Sequence, residues 1–337
     1  MGARVVVLGA GASYDAGYPL AAQMGKCLAA WINTLPSESE HHWCLQEIAN
    51  TYGTLDNFET ILADLMTCPD GSKAEALGGC RPYVLSGLKQ AITEHFAAIR
   101  VAASTALYDG LAGVLQYDDA VITFNYDLEI ERALSATAKW NVSTGYGFQI
   151  GEQPKASSVC VLKLHGSVNW RALIFDGISG GSFIAGTPGN SLGRRPVLCF
   201  RPDLEYLGAA NFKDPLCPTQ GEHGELHAMI MPALPKTFYF STTYGRRECK
   251  PFWDKLWKRA KISIRDADEL VIIGYSLSEG DKRARSLLLD TTNRDVRLSV
   301  CCREDTPRLV QLFRDHGFTN VTSGTPSFED FLANAEL

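Results

Sequence analysis

Short runs of apolar residues recur along the chain and predict the strands of a buried parallel sheet. The five strongest runs are continuous rather than alternating, as expected for strands that are covered on both faces. They are RVVVLG (4–9), AVITF (120–124), VCVLKL (159–164), ELVIIG (269–274) and VRLSVC (296–301), with weaker candidates at 197–200 and 228–231. Helical stretches follow two of them, at 127–138 and 304–317. This order predicts an α/β fold, a Rossmann-like parallel sheet flanked by helices.

Two segments interrupt the alternation of strands and helices. Residues 20–117 have an Ala- and Leu-rich helical composition, and Asp56 precedes Glu59 by three residues, as at a capping-box helix start. We therefore predict a helical insertion after the first βα unit. Residues 171–225 are rich in Gly and Pro, which predicts an irregular loop or lid insertion. The whole chain, 1–337, is expected to form a single domain.

Charge and composition argue against nucleic acid, a membrane or a metal as a binding partner. The formal net charge is −6, and binding to duplex phosphates usually needs a clustered basic face, so direct nucleic-acid binding is not expected. No apolar run approaches the roughly 20 residues that a membrane span needs. The ten cysteines are irregularly spaced without a C-x-x-C pair, and no export signal is recognisable. These features predict a cytoplasmic location and no metal site.

Polar or glycine-rich clusters follow all five strong runs. They are GAGAS (9–13), NYD (125–127), HGSVNW (165–170), GYSLSEGD (274–281) and CREDT (302–306). In an open α/β sheet, ligands bind beyond the carboxyl ends of the strands. The clusters therefore predict one ligand site at this edge. Simple turns are the alternative, because Asn and Asp also stabilise tight turns.

Two of these clusters suggest particular chemistry. Gly9 and Gly11 permit a tight turn and close approach to a phosphate, but Tyr14 stands where the dehydrogenase fingerprint has its third glycine. The loop is thus either a plain turn or a dinucleotide loop of another kind. Among the seven histidines, His165 alone follows a predicted strand in such company, and we consider it a general base or a structural histidine. His223 and His227 lack further ligands that would support a metal.

The motifs GAGAS…GYP, TFNYD, KLHGS and IIGYSLSEGD occur in an order that resembles the sirtuin-like (silent information regulator-like) family. More narrowly, they look like the bacterial branch that degrades NAD in anti-phage defence, and the similarity spans about 4–305. The resemblance implies catalytic roles for Asn125, His165 and Asp127. It also implies contacts to the dinucleotide from a larger set: Gly9, Ala10, Gly11, Ala12, Ser13, Tyr126, Gly274, Ser276, Leu277, Arg303 and Glu304.

The resemblance further implies positions along the dinucleotide. Residues 9–13 match the phosphate loop, and 125–127 match the step that holds the nicotinamide-side ribose. Residues 274–277 match the loop under the adenosine ribose, with 303 and 304 near the adenine. Two departures concern the substrate. Sirtuin deacylases have Gln-Asn-Ile-Asp where this chain has Phe-Asn-Tyr-Asp, and they carry a four-cysteine zinc module that this chain lacks.

These departures favour hydrolysis of NAD+, as substrate, to nicotinamide and ADP-ribose, with no metal. Two alternatives stay open, namely a sirtuin-type protein deacylase or ADP-ribosyltransferase, and a non-catalytic NAD- or ADP-ribose-binding regulatory module. An ungated NAD hydrolase would poison its own cell. We therefore expect control by homo-oligomerisation, with 20–117 as the candidate assembly surface, or by a separate sensing protein such as a HerA-type ATPase. The implied biological role is abortive infection.

Overall fold

The computed structural model describes residues 3–100, 106–141, 145–146, 158–174, 198–200, 225–230, 243–323 and 328–335. Most of the insertion predicted at 171–225 lies outside these residues. Nine strands are described: β1 (Arg4–Leu8), β2 (Ala120–Thr123), β3 (Cys160–Lys163), β4 (Gly166–Ile174), β5 (Leu198–Phe200), β6 (Glu225–Ile230), β7 (Glu269–Ile273), β8 (Arg297–Cys301) and β9 (Val321–Ser323).

A six-stranded parallel sheet organises the fold. Its strand order is β3-β2-β1-β7-β8-β9, and each neighbouring pair is parallel. The five strong apolar runs form five of these strands, which confirms the predicted fold class. Strands β2 and β3 lie on one side of β1, and strands β7, β8 and β9 lie on its other side. The order therefore reverses beside β1, the place where α/β sheets bind ligands.

A second, antiparallel sheet was not predicted. It has the order β5-β4-β6, and both β5 and β6 pair antiparallel with β4. The weaker apolar runs at 197–200 and 228–231 do contribute strands, but the prediction that they join the parallel sheet is wrong. The cluster at 165–170 is also more than a loop, because β4 begins at Gly166 directly after a two-residue turn that contains His165.

Helices pack around the parallel sheet. In chain order they are α1 (Met24–Ile32), α2 (Glu40–Tyr52), α3 (Phe58–Thr67), α4 (Arg81–Arg100), α5 (Ala106–Val114), α6 (Glu129–Ala136), α7 (Thr243–Asp266), α8 (Lys282–Leu289), α9 (Thr306–Asp315) and α10 (Phe328–Ala335). Helices α1 to α5 occupy the chain between β1 and β2, as the helical insertion predicts. Across the described residues, none of the helices combines the length and the apolar character that a membrane crossing needs.

Two helix starts differ from the sequence-based expectation. Helix α3 begins at Phe58 with Asn57 as its N-cap, and no side chain bonds to the helix start. The capping box predicted from Asp56 and Glu59 is therefore wrong. Helix α6 begins at Glu129 rather than near 127, because Asp127 Oδ1 accepts the Glu129 N–H at 3.1 Å.

A buried ion pair connects β3 to the segment that follows β2. Lys163 Nζ donates to Glu131 Oε1 at 2.8 Å and also to the backbone carbonyl of Asp127, and both charged side chains are 0% exposed. Burial raises the pKa of Glu131, and the Lys163 charge opposes this rise. The pair therefore holds the end of β3, and with it His165, against the loop that carries Asn125.

Candidate functional site

The loops after β1 and β7 pack directly on each other at the carboxyl edge of the sheet. The Gly9 N–H donates to Ile273 O at 3.0 Å. A Cβ on Gly9 would lie 2.5 Å from Tyr275 Cα, and one on Gly274 would lie 2.1 Å from Ala12 N. Gly274 also has a φ of +62°, which disfavours any side chain. These glycines are therefore required by loop-to-loop packing, whatever ligand lies above them.

Backbone donors of the GAGAS loop are used within the protein. The N–H groups of Gly11, Ala12 and Ser13 donate to Gly274 O, Gly9 O and Ala10 O, at 2.8, 2.9 and 3.2 Å. The loop forms a single 3₁₀ turn over Ala10–Ala12 rather than an open row of donors. Phosphate binding by this loop stays a prediction, and these three N–H groups are already committed.

Ser13 is the hub of a buried hydrogen-bond cluster. Its Oγ donates to Asp127 Oδ2 at 2.6 Å and accepts from Asn125 Nδ2 at 2.9 Å. The Tyr108 hydroxyl lies 2.6 Å from the same oxygen and donates to it, since the only proton of Ser13 goes to Asp127. Asp127 thus holds Ser13 with one oxygen and the start of α6 with the other. Its observed contacts are those of a residue that positions its neighbours.

Asn125 has a single possible amide orientation. Its Nδ2 donates to Gly9 O and to Ser13 Oγ, both at 2.9 Å, and a carbonyl oxygen only accepts hydrogen bonds. Both Nδ2 protons are therefore committed to the protein. The amide Oδ1 is the atom left to meet a ligand hydroxyl.

His165 is packed against a buried carboxylate. Its Nε2 lies 3.2 Å from Asp281 Oδ2, an ion-pair distance without hydrogen-bond alignment. Tyr275 OH donates to the same oxygen at 2.7 Å, and the Ala284 N–H donates to Asp281 Oδ1 at 3.0 Å. Burial alone would raise the pKa of Asp281, but the charge of His165 and these two donors hold it below its usual value. Phe124 completes the packing, edge-on to the imidazole at 5.0 Å.

One cavity joins these groups. Its volume is about 670 Å³, within the roughly 300–1,000 Å³ of small-molecule and cofactor sites. Of the residues singled out from sequence, its wall contains Ala10, Gly11, Ser13, Asn125, Tyr126, Asp127, His165, Gly274, Ser276, Arg303 and Glu304. Gly9 and Ala12 lie behind the wall in the contact between the β1 and β7 loops. Leu277 is fully buried with a φ of +48°.

Four residues of the wall that matter for the chemistry are not predicted from the sequence. Tyr275 and Asp281 lie inside the predicted GYSLSEGD cluster, which predicts no individual role for either, and Phe124 ends the apolar run before Asn125. Glu59 belongs to the helical insertion and was assigned to a helix start. The clustering of polar residues at strand ends is the one sequence signal for them, and it covers Tyr275 and Asp281 but not Phe124 or Glu59.

The wall of the cavity also contains an exposed ion pair. Arg303 Nη2 contacts the two carboxylate oxygens of Asp15 at 2.5 and 2.6 Å, which links the loop after β8 to the loop after β1. The resemblance places Arg303 near an adenine, and in this structure its guanidinium is engaged by Asp15. Both side chains are about half exposed, so the pair is expected to contribute little to stability.

Removing the Ser13 hydroxyl is expected to destabilise the fold measurably. In Ser13→Ala, a carboxylate oxygen of Asp127 and the hydroxyl of Tyr108 lose a buried partner, at a cost of about 1–3 kcal/mol for such groups. Urea denaturation measures the change in the free energy of unfolding. Ser286→Ala is the matched control, because its hydroxyl bonds to Asp290 on an exposed helix face. Equal stability of the two variants would contradict the hub role.

Comparisons with known proteins give structural likeness only. No family model and no curated protein matches the chain. It is similar to a Sir2 homologue mutant in complex with 2'-O-acetyl ADP-ribose, with 15% identity, coverage of 99% of this chain and 90% of that one, and a TM-score of 0.48. A Sir2 homologue mutant with ADP-ribose shows 15% identity, 98% and 90% coverage, and a TM-score of 0.47. A Sir2 homologue in complex with NAD shows 13% identity, coverage of 99% of this chain and 89% of that one, and a TM-score of 0.44.

Identities and TM-scores at this level are too low to transfer an activity to this chain. Within the described ranges, no group of three His, Cys, Asp or Glu side chains is placed to hold a metal ion.

Proposed function

We propose that this protein hydrolyses NAD+ to nicotinamide and ADP-ribose. The observation that carries the proposal is that Asn125 and His165, which lie 40 residues apart (165 − 125), line one cavity at the carboxyl edge of the sheet. The cavity also lies where the strand order reverses, the usual ligand position in open α/β sheets. The four ordered motifs that resemble the sirtuin-like family support a dinucleotide as its ligand.

The reaction makes modest demands on the protein. In NAD+ the ribose is joined to a cationic pyridinium, and cleavage of that bond returns the electron pair to the ring nitrogen as neutral nicotinamide. A general acid is therefore unnecessary. The site must stabilise a positively charged, oxocarbenium-like ribose and must position a water molecule. The water oxygen then bonds to the ribose carbon, and one proton is released.

Asn125 and His165 suit these two tasks. We assign Asn125 Oδ1 to a ribose hydroxyl, because the rest of the amide is held by Gly9 and Ser13. His165 in its neutral form accepts the proton of the attacking water. Asp281 stabilises the imidazolium that results, from 3.2 Å away. Catalytic contacts of this kind are often poorly aligned without substrate and tighten when it binds.

Nicotinamide release is the test of this function. The full chain is incubated with NAD+, alone and with candidate activators, and nicotinamide and ADP-ribose are quantified by chromatography. The proposal predicts equal amounts of both products. Binding of NAD+ without release under every condition would favour a regulatory module, and release only with an acyl-lysine peptide would favour a deacylase.

The biological role that we propose is depletion of NAD+ in anti-phage defence. Control would come from homo-oligomerisation through the helical insertion or from a separate partner such as a HerA-type ATPase. Light scattering coupled to size-exclusion chromatography, run beside the activity assay, tests this. A monomer at every concentration, with activity independent of any partner, would count against gating by assembly.

A further inference from the structure

Glu59 brings a carboxylate from the helical insertion into the cavity of the sheet. It is the second residue of α3, and its neighbour Phe58 is anchored in the core at 2% exposure. The helix start makes no side-chain cap hydrogen bond, so Glu59 is not held back towards Asn57. Its side chain instead lines the same cavity as Asn125 and His165.

The other carboxylates beside Asn125 and His165 are committed to protein donors. Asp127 accepts hydrogen bonds from Ser13 and from the start of α6. Asp281 accepts from Tyr275 and the Ala284 N–H, and lies against His165. Within the part of the chain that the structure describes, no hydrogen bond to the Glu59 carboxylate is found, which leaves its charge facing the cavity.

The surroundings of Glu59 separate its titration from that of Asp281. Burial raises the pKa of Glu59, His165 opposes the rise, and Asp281 adds to it. The pKa of Asp281 is instead held low by its own neighbours, although burial opposes this. The pKa values of two carboxyl groups beside one imidazole are thus shifted in opposite directions. Such a difference is typical of groups with different roles in a reaction. A partly buried carboxylate without a donor is best compensated by a cation.

We propose that Glu59 is a catalytic residue whose ionised carboxylate faces the nicotinamide-side ribose and stabilises its positive charge during cleavage. This inference rests on the proposed hydrolysis of NAD+. The C–N bond breaks towards nicotinamide, the water oxygen bonds to the ribose carbon, and the water proton passes to His165 and then to solvent. Glu59 forms no covalent bond and stays ionised throughout. The helical insertion is thereby part of the active site.

Glu59→Gln tests the role while preserving the shape of the side chain. We expect the rate of nicotinamide release at saturating NAD+ to fall by about 10²–10³-fold, the usual loss for one preorganised electrostatic contact. Affinity for ADP-ribose should stay within about threefold, because that product carries no cation at this carbon. Glu59→Asp, which keeps the charge, should recover part of the rate.

The pH profile distinguishes this role from a structural one. Activity needs the ionised carboxylate, so it should be lost as the pH falls through the raised pKa of Glu59. The residual rate of Glu59→Gln should fall less steeply on the acidic side, because only the His165 base then has to be unprotonated. Folding is not expected to suffer, since burial already disfavours the charged form; a thermal unfolding curve checks this.

Glu40→Gln is the matched control. Glu40 is likewise an acidic residue in the first turn of an insertion helix, but it is exposed. It should keep the wild-type rate. An active wild type with an equally active Glu59→Gln variant, or with the same loss in Glu40→Gln, would overturn the role of Glu59 alone. A wild type that never releases nicotinamide would overturn the hydrolysis as well.

Discussion

Replacing His165 with alanine should lower nicotinamide release by about 10²–10⁴-fold, the usual contribution of one positioned acid–base group. The imidazole is the proton acceptor of the proposed reaction, and its position between Asp281 and Phe124 is built by buried contacts. NAD+ binding should persist, because the cavity keeps its other walls. Initial rates and a binding isotherm for ADP-ribose separate these two effects.

Two further variants test whether the loss of activity is specific to the imidazole of His165. His316→Ala is the control, since the imidazole of that exposed histidine hydrogen-bonds to the carbonyl of Leu312 in its own helix. Asp281→Asn should give an intermediate loss, because it removes the charge that stabilises the imidazolium but leaves the imidazole in place. Full activity in His165→Ala would refute the assigned role of the imidazole.

Replacing Lys163 with methionine should cost about 3–5 kcal/mol of the free energy of unfolding, the range for breaking a buried ion pair by removing one partner. Glu131 would remain at 0% exposure without its cation, and the carbonyl of Asp127 would lose a donor. Urea denaturation measures the loss. Lys163→Met combined with Glu131→Leu should recover part of it, because apolar replacement of a whole buried pair is often tolerated.

The destabilisation of Lys163→Met should depend on pH. The pKa of Glu131 is raised by burial even in the presence of Lys163, and without Lys163 the opposing effect is gone. The folded variant then binds a proton that the unfolded chain releases above the ordinary glutamate value of 4.5. Its stability therefore falls as the pH rises from 4.5 to the raised pKa. A loss that is as large at pH 5 as at pH 8 would contradict this account.

The parallel sheet was predictable because its strands are buried on both faces. A strand covered by helices on each side must be apolar at every position, which gives the continuous runs from Val5 to Leu8 and from Leu270 to Ile273. Strand β4 begins with Gly166, Ser167 and Val168 and carries polar Asn169, so no continuous run marks it. Its antiparallel pairing with β5 and β6 depends on contacts between residues that are far apart in the sequence.

The part of the candidate site that follows strand ends was predictable from the sequence. Asn125 and His165 follow apolar runs, and parallel strands bring their ends to one edge. Glu59 could not be found in this way, because it comes from an insertion and its spacing from Asp56 fits a capping box. The sequence motif indicated a phosphate loop around Gly9, whereas the structure shows Gly9 and Gly274 packed in the contact between two loops.

A crystal structure of the His165→Ala variant soaked with NAD+ tests the central claim most directly, because the slowed variant should keep its substrate intact. We expect the nicotinamide-side ribose beside Asn125, with its reacting carbon towards Glu59, and the adenosine over the loop at 274–277. A dinucleotide bound outside this cavity, or bound with its adenosine beside Asn125, would contradict the account.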